Sequence, residues 1–119
     1  MSYSVHLYRP DVKAALDSGK EMDEFPHTPI PEAAKREFIR LLVGYGYEFE
    51  SQSDECVEYI HTNKEWGIQV RFFNTQIAFT VPYWSQSENA IMEASMTASE
   101  IAWDVDLKVF YPFDGTWNE

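Results

Sequence analysis

The chain has 119 residues, 45% hydrophobic, 24% charged and 16% aromatic, which fits one globular domain with a ring-rich core and argues against disorder. Its formal net charge of −11 repels nucleic acid and anionic membranes and attracts basic partners. No run of 18 apolar residues provides a membrane span, and the lone Cys56 has no partner for an internal disulfide.

Tyr3, Val5 and Leu7 alternate with Ser4, His6 and Tyr8, a period of two that predicts a strand over 3–8. Nothing at this end shows the basic start and apolar run of a signal peptide; with the single cysteine, this points to the cytoplasm. Arg9-Pro10-Asp11 opens a short helical turn, stopped at Gly19. Residues 20–30 hold two prolines and no period, and read as a loop. Pro31 and Glu32 then begin a helix over 31–43, with Ala34, Phe38, Leu41 and Leu42 on one stripe and Gly44 and Gly46 at its end.

Four strands are expected next, near 47–51, 56–61, 66–73 and 76–82, joined by polar turns at 51–55 and 62–65 and by Asn74-Thr75. Trp66, Ile68, Val70 and Phe72 share a face with Ile77, Phe79 and Val81, and this face should meet Phe38, Leu41, Ile91 and Ile101. A second long helix over 88–103 carries the stripe Ile91, Ala94, Ala98, Ile101 and Ala102. It runs into Asp104 and Asp106, where a helix end disfavours negative charge. A last strand spans 107–111, and Thr116-Trp117 forms a tail after a turn. The order predicts an α+β two-layer sandwich of ferredoxin-like or related type. Its sheet is mixed and mostly antiparallel, with parallel neighbours at the β-α-β crossovers and both main helices on one face.

The residues needed for catalysis do not assemble in the sequence. His6, His27 and His61 have no metal-ligand spacing, and no phosphate loop or nucleophile elbow is present. No catalytic residue, metal or cofactor is therefore assigned. Cys56 is set among Asp54, Glu55 and Glu58, which disfavour a thiolate, and reads as an idle thiol. His61 reads as a solvated residue at a strand end.

Charge is the more informative signal. Residues 41–119 hold thirteen acids against three bases, so nearly all of the excess lies there. Glu48, Glu50, Asp54, Glu55, Glu58 and Glu65 follow one another along a strand-turn-strand-turn stretch with Lys64 as its one base. Solubility alone would explain such a surface. The functional reading is a docking surface for a basic protein, with Tyr83 and Trp84, or Trp117, as aromatic anchors at its rim.

Two other readings use different residues. A small enzyme or ligand-binding domain would use the 20–30 loop and His27. A structural subunit would form a homodimer through the open sheet face, where Gln69, Arg71, Gln76 and Thr80 are polar and Phe73 and Phe110 offer anchors.

The segments Trp66-Gly67-Ile68-Gln69-Val70, Ile77-Ala78-Phe79-Thr80-Val81-Pro82-Tyr83-Trp84 and Phe110-Tyr111-Pro112-Phe113-Asp114-Gly115-Thr116-Trp117 resemble parts of small bacterial proteins of the acidic toxin-immunity type. The likeness spans roughly residues 60–117 and rests on strand and turn residues, so it assigns no site residue. It implies an inhibitor: immunity proteins against basic nucleases are often acidic because they occupy a nucleic-acid-binding surface.

Overall fold

The alternation at the start of the chain does form a strand, β1 (Tyr3–Tyr8), with Val5 and Leu7 fully buried. In the computed structural model, which describes residues 3–19, 29–54, 56–82, 88–112 and 115–118, β1 leads into α1 (Pro10–Asp17) and α2 (Glu32–Gly44). Then come β2 (Tyr47–Gln52), β3 (Val57–His61), β4 (Gln69–Phe72) and β5 (Gln76–Val81). The chain continues through α3 (Glu88–Val105), β6 (Lys108–Tyr111) and β7 (Thr116–Asn118). This is an α+β sandwich, as the periodicities predict.

The seven strands make one sheet in the order β2-β3-β4-β5-β1-β6-β7. Every pairing is antiparallel. Among the described residues the parallel neighbours expected from the crossovers do not occur. Strands β5 and β6, joined through α3, run the same way, but β1 lies between them and pairs with both. With neighbours on both sides, Val5 and Leu7 are completely covered. The Thr116-Trp117 tail is also a strand, β7, paired with β6.

Helices α2 and α3 pack on each other and on one sheet face. Phe38 from α2 sets its ring edge-on to Phe72 at 5.4 Å and lies 6.1 Å from Phe79. From α3, Ala90, Ala94, Ala98, Ile101 and Ala102 are buried; small side chains let the helix backbone lie close to the sheet. Leu41 and Ile91 are only half-buried, so the stripe of α3 begins at Ala90 rather than Ile91. Strand β4 starts three residues later than expected, because Gly67 adopts φ 62° and breaks the extended run after Trp66.

The conflict at the end of α3 has a structural answer. Asp106 takes the left-handed conformation at φ 58°, and the Leu107 amide reaches back to the Ala102 carbonyl at 3.0 Å. This six-to-one bond closes the helix, with aspartate in the position glycine usually fills.

On the other sheet face, α1 lays Val12 and Ala15 against Tyr8 and Trp117. Phe110 stacks on Trp117 at 4.9 Å and meets Tyr8 at 6.4 Å. Phe110 and Trp117, read from sequence as candidate anchors for association, are thus engaged within the chain.

Candidate protein interface

Strand β2 is an edge of the sheet, and after Tyr47 every residue in it is exposed. Glu48 stands opposite Ile60, on the face away from α2 and α3, and pairs with Lys64 at 3.1 Å. The register shifts between Phe49 and Ser51, so that Ser51, not Glu50, opposes Glu58. Ser51 donates to Glu58 at 3.4 Å, and Arg71 approaches the same carboxylate at 3.8 Å. Among the described residues no ion pair neutralises Glu50 or Asp54. Asp54 lies in the β2–β3 turn and Glu65 in the β3–β4 turn, beyond opposite ends of β3. A five-residue strand spans about 17 Å, roughly two Debye lengths, so these two carboxylates contribute to a field rather than to one contact. Glu55, Tyr83 and Trp84 lie outside the described residues, as does His27.

Between the acids of β2 sits an exposed aromatic. Phe49 is 57% exposed and meets Tyr59 edge-on at 5.8 Å. Tyr59 meets Phe72 at 5.8 Å, and Phe72 meets Phe38. A ladder of rings therefore runs from the core to the sheet edge and holds Phe49 in place. Pattern reading assigns Phe49 to the core face correctly, but it cannot show that no helix among the described residues covers this end of the face.

Near the β2–β3 turn, Lys35, Asp54, Cys56, Val57 and Asn74 line an open cleft of about 180 Å³. That is below the usual range for a small-molecule site. Cys56 is half-buried there, with its backbone amide 3.3 Å from the Ser53 hydroxyl.

His61 is not a solvated strand end. It is buried beside Tyr47, with ring centres 4.7 Å apart, and beside Trp66 at 4.8 Å. The Asn63 amide donates to Nδ1 at 2.9 Å, which places the proton of the neutral ring on Nε2. Nε2 faces the Glu93 carboxylate at 3.8 Å, and Thr97 donates to the same carboxylate oxygen at 3.0 Å. Gly46, at φ 96°, brings its backbone close to the ring: a Cβ there would stand 3.5 Å from Nε2. Burial lowers the His61 pKa, and Glu93 partly opposes this. Burial first, and Glu93 second, push the Tyr47 hydroxyl well above its ordinary range, with Thr97 moderating. The arrangement orients an imidazole against a carboxylate. It joins β2, β3 and α3. The parity of β3, which puts His61 on the face of Val57 and Tyr59, was the signal for its burial.

The helical layer shows a second exposed surface that sequence reading missed. Met92, Met96 and Trp103 on α3 are 56%, 53% and 88% exposed. Val43 near the end of α2 and Tyr45 just after it are also exposed, and the Tyr45 hydroxyl donates to Glu100. The missed signal is a second apolar line on α3, opposite its alanines. No helix among the described residues is long and apolar enough to cross a membrane. No family model, curated protein or solved structure matches this chain.

Proposed function

We propose that this protein is an acidic protein-binding module that docks a basic partner through its β2–β3 edge, in the manner of an immunity-type inhibitor from a bacterial cytoplasm. The observation that carries the reading is Phe49, a large ring held 57% exposed on an edge strand between Glu48 and Glu50. Charge and anchor have separate tasks here. The field of the acids raises the encounter rate with a cationic partner, and burial of the ring on contact slows dissociation. The charges and the bulge also discourage the edge from pairing with another copy of itself, which suits a surface kept for a different protein. A surface that occupies the cationic groove of a nuclease has this composition, and the likeness to immunity proteins points the same way. Of the two anchors of the homodimer reading, Phe110 is packed against Trp117 and Tyr8 within the chain.

The test is capture from extract of the source cell at low and high salt, comparing the protein with the combined variant Glu48→Lys, Glu50→Lys and Asp54→Lys. Capture of a basic protein that falls with salt, and is lost in the variant, is the expected result. Equal capture by both folded proteins at every salt concentration would leave the acids as a solvated rim and sink the reading.

A further inference from the structure

The exposed residues of α3 are not scattered. Met92, Met96 and Trp103 are spaced four and seven apart, which on an α-helix keeps them within about 40° of one another. The line lies on the opposite side of the helix from Ala90, Ala94, Ala98 and Ile101, which face the sheet. An ordinary surface helix carries polar side chains there. Here the line shows two methionines and a tryptophan, the last at 88% exposure.

Charge beside this line has one sign. Glu93, Glu100 and Asp104 lie along the same flank, about 80–120° around the helix from Met92. Residues 88–107 contain no lysine, arginine or histidine at all. Arg40 of α2 lies within electrostatic reach of Asp104, but its guanidinium is held by the Glu37 carboxylate through both Nε and Nη2. Tyr45 anchors Glu100 by its hydroxyl and fixes the acid flank beside the apolar line.

We infer that the outer face of α3 is a docking surface for a basic amphipathic helix of a partner protein, whose apolar stripe covers Met92, Met96 and Trp103 and whose lysines or arginines meet Glu100 and Asp104. Two flexible thioethers beside one large ring adapt to varied apolar side chains, as helix-accepting surfaces require. Charge complementarity selects the occupant. A second copy of this chain brings another net charge of −11 and the same base-free helix, and an anionic membrane repels the acid flank. The surface is separate from the β2–β3 acids, since Glu48 and Glu58 lie on the sheet face away from α2 and α3. The inference therefore does not rest on the edge-strand reading.

The probe is a designed helical peptide with leucines on one face and lysines on the other, set against a matched peptide carrying glutamates. Binding is measured by titration, and the contact is mapped by amide chemical-shift changes. The lysine peptide should bind and shift amides along 92–104. Trp103→Ala should weaken it at least tenfold, and Glu100→Lys should weaken it while flattening its salt dependence. The combined variant Glu48→Lys, Glu50→Lys and Asp54→Lys should leave it unchanged. Shifts confined to 48–58, or affinity untouched by Trp103→Ala, would overturn the inference and leave the edge-strand reading standing. Sedimentation showing a dimer that Trp103→Ala dissolves would overturn it in favour of self-association. Trp103 lies outside the folded core, so its removal tests binding without threatening the fold.

Discussion

Replacing Phe79 by alanine should remove a large part of the stability of this domain. Phe79 is fully buried on β5, between Val70 on β4 and Val5 on β1 in register, and its ring lies 6.1 Å from Phe38 and 6.0 Å from Tyr47. Truncation takes away the transfer free energy of the ring and leaves a cavity that one helix and three strands cannot all close. Such changes cost about 3–5 kcal/mol. The two ring contacts add roughly 0.5–1.5 kcal/mol each when counted alone, but they overlap with the burial term and are not summed onto it. A domain of this size holds about 5–15 kcal/mol in total, so the loss is about a fifth of it or more. In urea, with a slope of about 2 kcal/mol per molar, the unfolding midpoint should fall by about 2 M with the slope unchanged. Trp103→Ala is the control: an even larger ring, 88% exposed, whose loss should stay within about 0.5 kcal/mol. A Phe79→Ala midpoint within about 0.5 M of the parent would mean that Phe79 does not face the helices. The register of β5 would then be off by one residue, because a single slip inverts the faces of a strand.

Two further outcomes follow from the local geometry. The pKa of His61 is lowered in the fold, mainly by burial, so the unfolded chain takes up its proton first as pH falls; the stability associated with the neutral ring is complete above about pH 6.5 and declines as pH drops through the lowered folded value. His6, also lowered by burial, acts in the same direction. Melting temperatures should therefore fall from pH 7.5 to 5.5, and less steeply in His61→Gln; equal slopes for the two proteins would remove His61 from the explanation. Asp106→Gly should stabilise the protein by about 1 kcal/mol, since glycine adopts φ 58° without strain and the change removes an acid from the C-terminal end of α3. A denaturation midpoint that falls instead would show that the Asp106 side chain makes a contact worth more than the strain.

Much of this architecture follows from local pattern. Alternation along 3–8 and 76–82 and the stripe of α2 require nothing beyond the neighbouring residues, because a period of two or of 3.6 decides which side chains share a face. Burial of one such face then requires both main helices on the same side of the sheet. The acids of 48–65 were equally legible, since charge is a property of composition. Strand order was not. Whether β1 lies at an edge or between β5 and β6 depends on pairings made across about seventy residues or more, and nothing in 3–8 records its partners. The same holds for α1, whose Val12 and Ala15 could cover either face until β7 brings Trp117 beneath them. His61 and Trp103 mark the two ways in which exposure departs from residue type. His61 is enclosed because Tyr47, Trp66 and α3 converge on the end of β3, and Trp103 is bare because the core needs only the alanine side of its helix. Periodicity states which residues face together; only the assembled fold decides which of those faces is covered, because covering a face takes surface from elements far away in the chain.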